Sequence, residues 1–126
     1  MAAVGAGSAL SFRETLSRHL QAIQDRDLDA LADTVADDAL ILITAEGKLL
    51  RSAREFLEAH RAWFAMDSWQ LFVTPVEITE GADLGVAVLH LLYCENEVRQ
   101  QSHLTLVFAR RNGKWLMILD QNTPLR

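Results

Sequence analysis

The pair Asn112-Gly113 constrains this chain more than any other feature. It sits in Arg111-Asn112-Gly113-Lys114, between two long apolar-rich runs. Asn and Gly both accept the left-handed backbone that a tight hairpin needs, so the pair between such runs is the strongest short-range hairpin signal. Residues 84–95 add a third strand upstream. The three read as a meander that the N-terminal part of the chain must cover.

That part carries helical signals. Ser11-Phe12-Arg13-Glu14 fits a capping box, and Phe12, Leu16, Leu20 and Ile23 recur at helical spacing. His19 shares or borders that apolar face. Asp27 can cap a second helix with the stripe Leu28, Leu31, Ala32 and Val35, which Asp37-Asp38 ends. Residues 39–44 are β-prone, and Glu46-Gly47 turns them back toward Leu49-Leu50. Ser52-Ala53-Arg54-Glu55 is a second capping box, opening a third helix with Phe56, Leu57, His60, Trp63 and Phe64 on one face. Residues 69–78 read as a strand in which Pro75 implies an edge position or a bulge, since proline cannot donate to the ladder. The order is helix, helix, short hairpin, helix, four strands. Helices gathered on one side of a curved, mainly antiparallel sheet make an α+β domain.

A chain of 126 residues suits one domain. We read residues 1–10 as a loose tail and residues 11–126 as the domain. The tail is a poor signal peptide, because no Lys or Arg precedes its apolar part and Gly5, Gly7 and Ser8 break it. The net charge of −5 and the lack of any Lys/Arg cluster argue against a nucleic-acid partner, which needs a basic footprint. No apolar run approaches the ~20 residues of a membrane span. With Cys94 as the only cysteine, no internal disulfide can form, and a soluble cytoplasmic protein is the expectation.

An antiparallel sheet with one wet face should alternate apolar and polar residues. Here Val86, Val88 and Leu92 alternate with Ala87, Leu89 and Leu91, and Leu116 and Ile118 with Trp115, Met117 and Leu119. Both faces are apolar, and the helices can cover only one. A second copy of the chain is expected on the other, giving a homodimer built sheet to sheet.

Which residues face the helices depends on the turn. A two-residue Asn-Gly loop pairs Arg111 with Lys114 and sets odd residues beside even ones. A three-residue loop pairs Arg110 with Lys114 and keeps even with even. We favour the second, which groups Leu104, Leu106, Phe108, Leu116 and Ile118 with Ser102, Asp120 and Asn122, and brings His90 in from the neighbouring strand. Tyr93 and His103 then point outward. Asp120 in so apolar a strand should have its charged form disfavoured, which suits a general acid or base; the plainer reading places it at a solvated rim. His90 is either a proton shuttle or a buried neutral histidine bonded to a carbonyl. His19 and His60 read as core or rim residues with a possible pocket role. Trp63 and Phe64 could wall a pocket or simply fill the core. No paired ligand spacing suggests a metal, no nucleophile elbow or glycine-rich phosphate loop occurs, and no cofactor is expected.

The chain resembles the nuclear-transport-factor-2-like superfamily over about residues 16–123. The resemblance rests on Asp27-Leu28-Asp29-Ala30-Leu31, on Ala36-Asp37-Asp38-Ala39, and on Asn112-Gly113-Lys114-Trp115 followed by Asp120-Gln121-Asn122-Thr123. It implies a cone of three helices cupped by a curved sheet. The superfamily includes ketosteroid isomerases, SnoaL-type cyclases, dehydratases, epoxide hydrolases and non-enzymatic association domains, so fold does not choose function. The isomerase's phenolic residue would fall at His19 and its catalytic aspartate at Ile43, which cannot take a proton. The pocket arginines of the calmodulin-dependent kinase association domain would fall at His90, Leu106 and Asn122, none of them arginine. The aspartate–arginine–aspartate set of the epoxide hydrolases finds no clear match. SnoaL-type cyclases use a pocket aspartate or histidine, parts that Asp120 and His90 could play. The expectation is therefore a cone binding a small hydrophobic molecule, with Asp120 and His90 as acid/base pair and Asn122, His19, Trp63, Phe64, Ser102 and Leu106 as ligand contacts. The alternative is a non-catalytic binding or association module.

Overall fold

The computed structural model describes residues 9–126. Of the expected tail only Ala9 and Leu10 fall among them, both exposed; residues 1–8 lie outside the described residues. The elements in chain order are α1 (Phe12–Gln24), α2 (Leu28–Ala32), β1 (Ile41–Ile43), β2 (Leu49–Arg51), α3 (Ser52–Phe64), β3 (Trp69–Glu80), β4 (Leu84–Glu95), β5 (Val98–Arg111) and β6 (Lys114–Pro124). The sheet order is β2-β1-β6-β5-β4-β3. Only β1 and β6 run parallel; the other neighbours are antiparallel. This is the α+β architecture the sequence implies.

Local chemistry sets the ends of the elements. Ser11 Oγ accepts from the Glu14 amide at 3.1 Å while Glu14 Oε1 accepts from the Ser11 amide at 2.8 Å, closing the capping box. Asp27 Oδ1 accepts from the Ala30 amide and caps α2. The expected second capping box is only half made: α3 is capped at Arg51, which offers no side-chain acceptor, and Glu55 Oε1 accepts from the Arg51 amide at 2.8 Å. Pro75 lies on the edge strand β3 and beside a bulge at Val76, so both expected accommodations occur together.

The register departs from expectation at two turns. Asn112 and Gly113 both take positive φ (52° and 77°) in a two-residue loop that pairs Arg111 with Lys114, not Arg110. Odd residues of β6 therefore start beside even residues of β5, and Trp115 and Met117 face the helices in place of Leu116 and Ile118. A bulge at Ile118 then inserts one residue and restores the even match, so Leu106 faces Asp120 and Leu104 faces Asn122. Asp120 and Asn122 thus look inward, by a different route. At the other turn Asn96, with φ of 57°, and Glu97 form a two-residue loop that pairs Glu95 with Val98. This sets odd residues of β4 beside even residues of β5. Ala87, Leu89 and Leu91 face the helices, and His90 faces away.

The helix-facing side is closed over most of its length. Phe12 is fully buried against Phe108 and Trp115, with ring centroids 5.7 and 5.4 Å away. Its ring lies so close to β4 that a Cβ on Gly85 would come within 2.7 Å of it, which is why only glycine fits there. The opposite face carries half-buried Val86, Val88, Leu92, Val107 and Leu116, with Phe72 53% exposed on β3.

Candidate active site in the cone

A cavity of about 450 Å³ remains at the end of the cone remote from the Asn112-Gly113 hairpin. Its wall comes from α3 (Ala59, His60, Trp63), from the β1–β2 turn (Thr44, Ala45, Glu46), and from the far ends of the long strands. Asp120, Asn122 and Tyr93 are its polar contributions from the sheet. A smaller hollow of about 160 Å³ shares Trp63, Tyr93 and Asn122 with it and is flanked by Gln100 and Ser102.

Asp120 is 5% exposed. Burial pushes its carboxyl from 3.8 up to about 7, and the Asn122 amide pulls it only partly back. Asn122 Nδ2 donates to Asp120 Oδ1 and to the Ile43 carbonyl, each at 3.0 Å. One oxygen of Asp120 is thereby anchored to β1, and no described residue donates to the other. His60, from α3, lines the same cavity. Its Nδ1 donates to the Phe56 carbonyl at 2.8 Å, an arrangement that makes Nε2 the accepting nitrogen of a neutral ring. Burial lowers its pKa, opposed by that backbone bond, so neutrality is the stable state. The imidazole stacks on Phe56 at 4.1 Å and meets Trp63 and Phe64 edge-on at 5.8 Å, so three aromatic rings fix its plane.

Trp63 stacks on Trp69 at 4.1 Å, and Tyr93 tilts toward both. Arg26 holds this wall from outside. Its guanidinium sits 3.7 Å over the Trp69 ring and donates to the Met66 and Trp69 carbonyls. Arg26 itself takes a positive φ of 54°, in the turn between α1 and α2.

The structure brings together Asp120, Asn122 and Trp63, with Ser102 on the adjoining hollow. The other expected residues stand elsewhere. His90 lies on the outer face, directly opposite His103 and bonded to Gln101 Oε1 at 2.8 Å, because the Asn96-Glu97 turn reverses the expected parity of β4. His19 is fully buried beneath α1; Thr34 Oγ1 donates to the Leu31 carbonyl and so accepts from His19 Nδ1 at 2.8 Å. Leu106 is core filling opposite Asp120, and Phe64 packs behind His60 without lining the cavity. Tyr93, expected outside, lies inside. His60 and Tyr93 are the functional candidates that sequence reasoning placed poorly. The two-residue length of the β4–β5 turn was the signal for Tyr93. The groups that could form a metal site do not cluster among the described residues.

A curved sheet cupped by helices around a polar-lined cavity is the cystatin-like α+β fold. The chain belongs to the SnoaL-like domain family, whose profile matches residues 13–121, within the nuclear-transport-factor-2-like superfamily. No curated protein matches it. Similar solved structures include a candidate association domain of calcium/calmodulin-dependent protein kinase type II from Thiobacillus denitrificans, 20% identical with a TM-score of 0.81, covering 94% of this chain and 98% of that one. A candidate dehydratase of the NTF2-like family from Streptomyces avermitilis is 16% identical with a TM-score of 0.77, covering 89% and 91%. A candidate ketosteroid isomerase from Shewanella frigidimarina is 20% identical with a TM-score of 0.73, covering 86% and 91%. At these identities the likeness is one of fold.

Proposed function

We propose that the cone binds a small hydrophobic molecule and that Asp120 exchanges a proton with it. One observation carries this reading: a buried carboxyl raised to about 7 lines a cavity of about 450 Å³ in an otherwise apolar interior. A group that titrates near neutrality can both give and take a proton there. His60, with its accepting Nε2, takes the partner role expected of His90. Asn122 orients the carboxyl, Trp63 and Tyr93 hold the apolar body, and Ser102 contacts what extends into the adjoining hollow. Isomerisation, cyclisation and dehydration can each proceed through such a proton relay. The test is turnover of a panel of apolar carbonyl and hydroxyl compounds by wild type and by Asp120→Asn. Loss of turnover with ligand binding retained supports the role; equal turnover removes it.

A non-catalytic binding or association module is the second reading. Ile43, where the isomerase base would fall, offers only its carbonyl, which Asn122 occupies. In either reading the apolar outer face of the sheet is covered by a second copy. A light-scattering mass of two chains at micromolar concentration supports the dimer, and a mass of one chain removes it. No described helix is long and apolar enough to cross a membrane.

A further inference from the structure

The polar atoms of the cavity divide unevenly between donors and acceptors. Both hydrogens of the Asn122 amide are engaged, by Asp120 Oδ1 and the Ile43 carbonyl. The His60 Nδ1 hydrogen is engaged by the Phe56 carbonyl. The Tyr93 hydroxyl donates to Glu95 Oε1 at 2.7 Å, and the Trp69 indole donates to the Trp63 carbonyl at 2.9 Å. What remains facing a ligand from Asp120 and His60 is accepting: a second carboxyl oxygen and the Nε2 lone pair. No Lys or Arg lines the cavity or its adjoining hollow, whereas Asp120 and Glu46 put two carboxyl groups there.

We infer that the cavity selects ligands that donate hydrogen bonds: flat, largely apolar molecules led by a hydroxyl or an amine, not by a carboxylate, a phosphate or a bare ketone. This rests on the reading of the cavity as a ligand site and names the chemistry of its occupant. An anionic head would meet two carboxyl groups and no compensating cation, so its desolvation would go unrepaid. A ketone brings only acceptors to the second oxygen of Asp120 and to Nε2 of His60; the donors it would need, the Thr44 hydroxyl and the Ser102 and Gln100 side chains, stand on the β1–β2 turn and on the adjoining hollow. Protonated Asp120 supplies one donor at most. A ligand lacking a donor leaves Asp120 and His60 desolvated and unpaired, the condition under which polar discrimination is strongest. Trp63, backed by the stacked ring of Trp69, gives the wall an aromatic side against which a ring system can pack.

The experiment is titration calorimetry with matched naphthalenes bearing hydroxyl, aminomethyl, methoxy, acetyl and carboxylate groups at one position. The hydroxyl and aminomethyl compounds should bind about tenfold or more tighter than the methoxy compound, with the carboxylate weakest. The two donor types separate by pH: the aminomethyl cation should gain affinity as Asp120 ionises, and the neutral hydroxyl compound should not. Asp120→Asn, checked for folding by circular dichroism, brings an amide donor and should raise acetyl binding relative to hydroxyl. Equal affinity for the hydroxyl and methoxy compounds, or preference for acetyl or carboxylate in wild type, overturns the donor rule while leaving the ligand site intact. No binding by any compound overturns the rule and the ligand-site reading together.

Discussion

The two ends of the cone use the same sheet face, yet at one end interlocking rings close the interior and leave a hollow of about 400 Å³ only outside them, beside the hairpin, whereas at the other a cavity reaches the buried Asp120. At the hairpin end Phe12, Phe108, Trp115 and Met117 interlock over Gly85, all but Trp115 with no exposed surface among the four side chains. About two residue pairs further along β5 the face passes to Leu104, Asp120 and Asn122, and a cavity opens. The difference is one of partners, not of backbone. The packed end matches large rings to a missing side chain, so its contacts are mainly apolar. The open end places a carboxyl, an amide and an imidazole where carbon would otherwise close the gap. Stability is concentrated at the first end, and unrelieved electrostatic cost at the second.

The strongest way to break this comparison is to hollow out the packed end. Phe108→Ala should cost about 3–5 kcal/mol in urea unfolding, because the site is ringed by side chains that cannot collapse into it. Ligand titration in the folded variant should be unchanged. A loss under 1 kcal/mol would mean that the hairpin end is not the stable half.

The second intervention should act in the opposite direction. The Asp120 carboxyl lies near 7 folded and 3.8 in its ordinary state. Below 3.8 it is protonated folded and unfolded, so its burial costs nothing through ionisation. As pH rises from 3.8 toward 7 the unfolded chain gives up the proton and the folded chain keeps it, so stability falls, and above 7 the loss is complete. Asp120→Asn keeps an acceptor for the Asn122 amide and removes that loss. It should stabilise the protein by up to about 4 kcal/mol at pH 8 and by almost nothing near pH 4. Urea unfolding at the two pH values decides it. A variant less stable at pH 8 would mean that the ionised carboxyl is compensated by something in the cavity.

The packed end was the more legible half. The capping signals, the stripes of α1 and α3 and the Asn112-Gly113 turn are local, and each marked its element, whereas the stripe from Leu28 to Val35 gave only the short α2 ending at Ala32, with Val35 bridged to Met117. The inward position of Asp120 and Asn122 was also anticipated, though only because two departures cancelled: the two-residue loop shifted parity and the Ile118 bulge shifted it back. A bulge leaves no mark in an all-apolar run such as 115–119, where either face tolerates either residue. The open end was read less well because its membership depends on register across several strands. Asn96-Glu97 carries the correct turn length, and counting across it exchanges His90 for its neighbours Leu89 and Leu91 and brings Tyr93 inside. His60 could be placed on the apolar face of α3 from spacing. That its ring would stand opposite Asp120's strand follows only from how α3 crosses the sheet, which no local pattern encodes.

His19 marks the boundary between the two ends and gives the finest test. Its ring meets Phe108 edge-on at 5.7 Å, as a member of the packed end would. Its Nε2 is buried without a partner, and the nearby His60 adds to the burial that lowers its pKa to about 3, as a member of the open end would. His19→Leu loses the bond to Thr34, but the Thr34 hydroxyl still donates to Leu31, and an unpartnered acceptor goes with the ring. These effects oppose each other, so the change at pH 7 should stay within about 1 kcal/mol. The acid side should separate them. Between 6.5 and about 3 the unfolded chain binds a proton at His19 that the folded chain refuses, so wild type loses stability as pH falls through that window, by about 2 kcal/mol at pH 5 from this residue. The variant escapes that loss and should gain on wild type at pH 5 by about the same amount. A cost of 3 kcal/mol or more at pH 7, on the scale of ~3–5 kcal/mol for a buried ring, would place His19 wholly within the packed end. The polar end would then begin at Asp120 and His60.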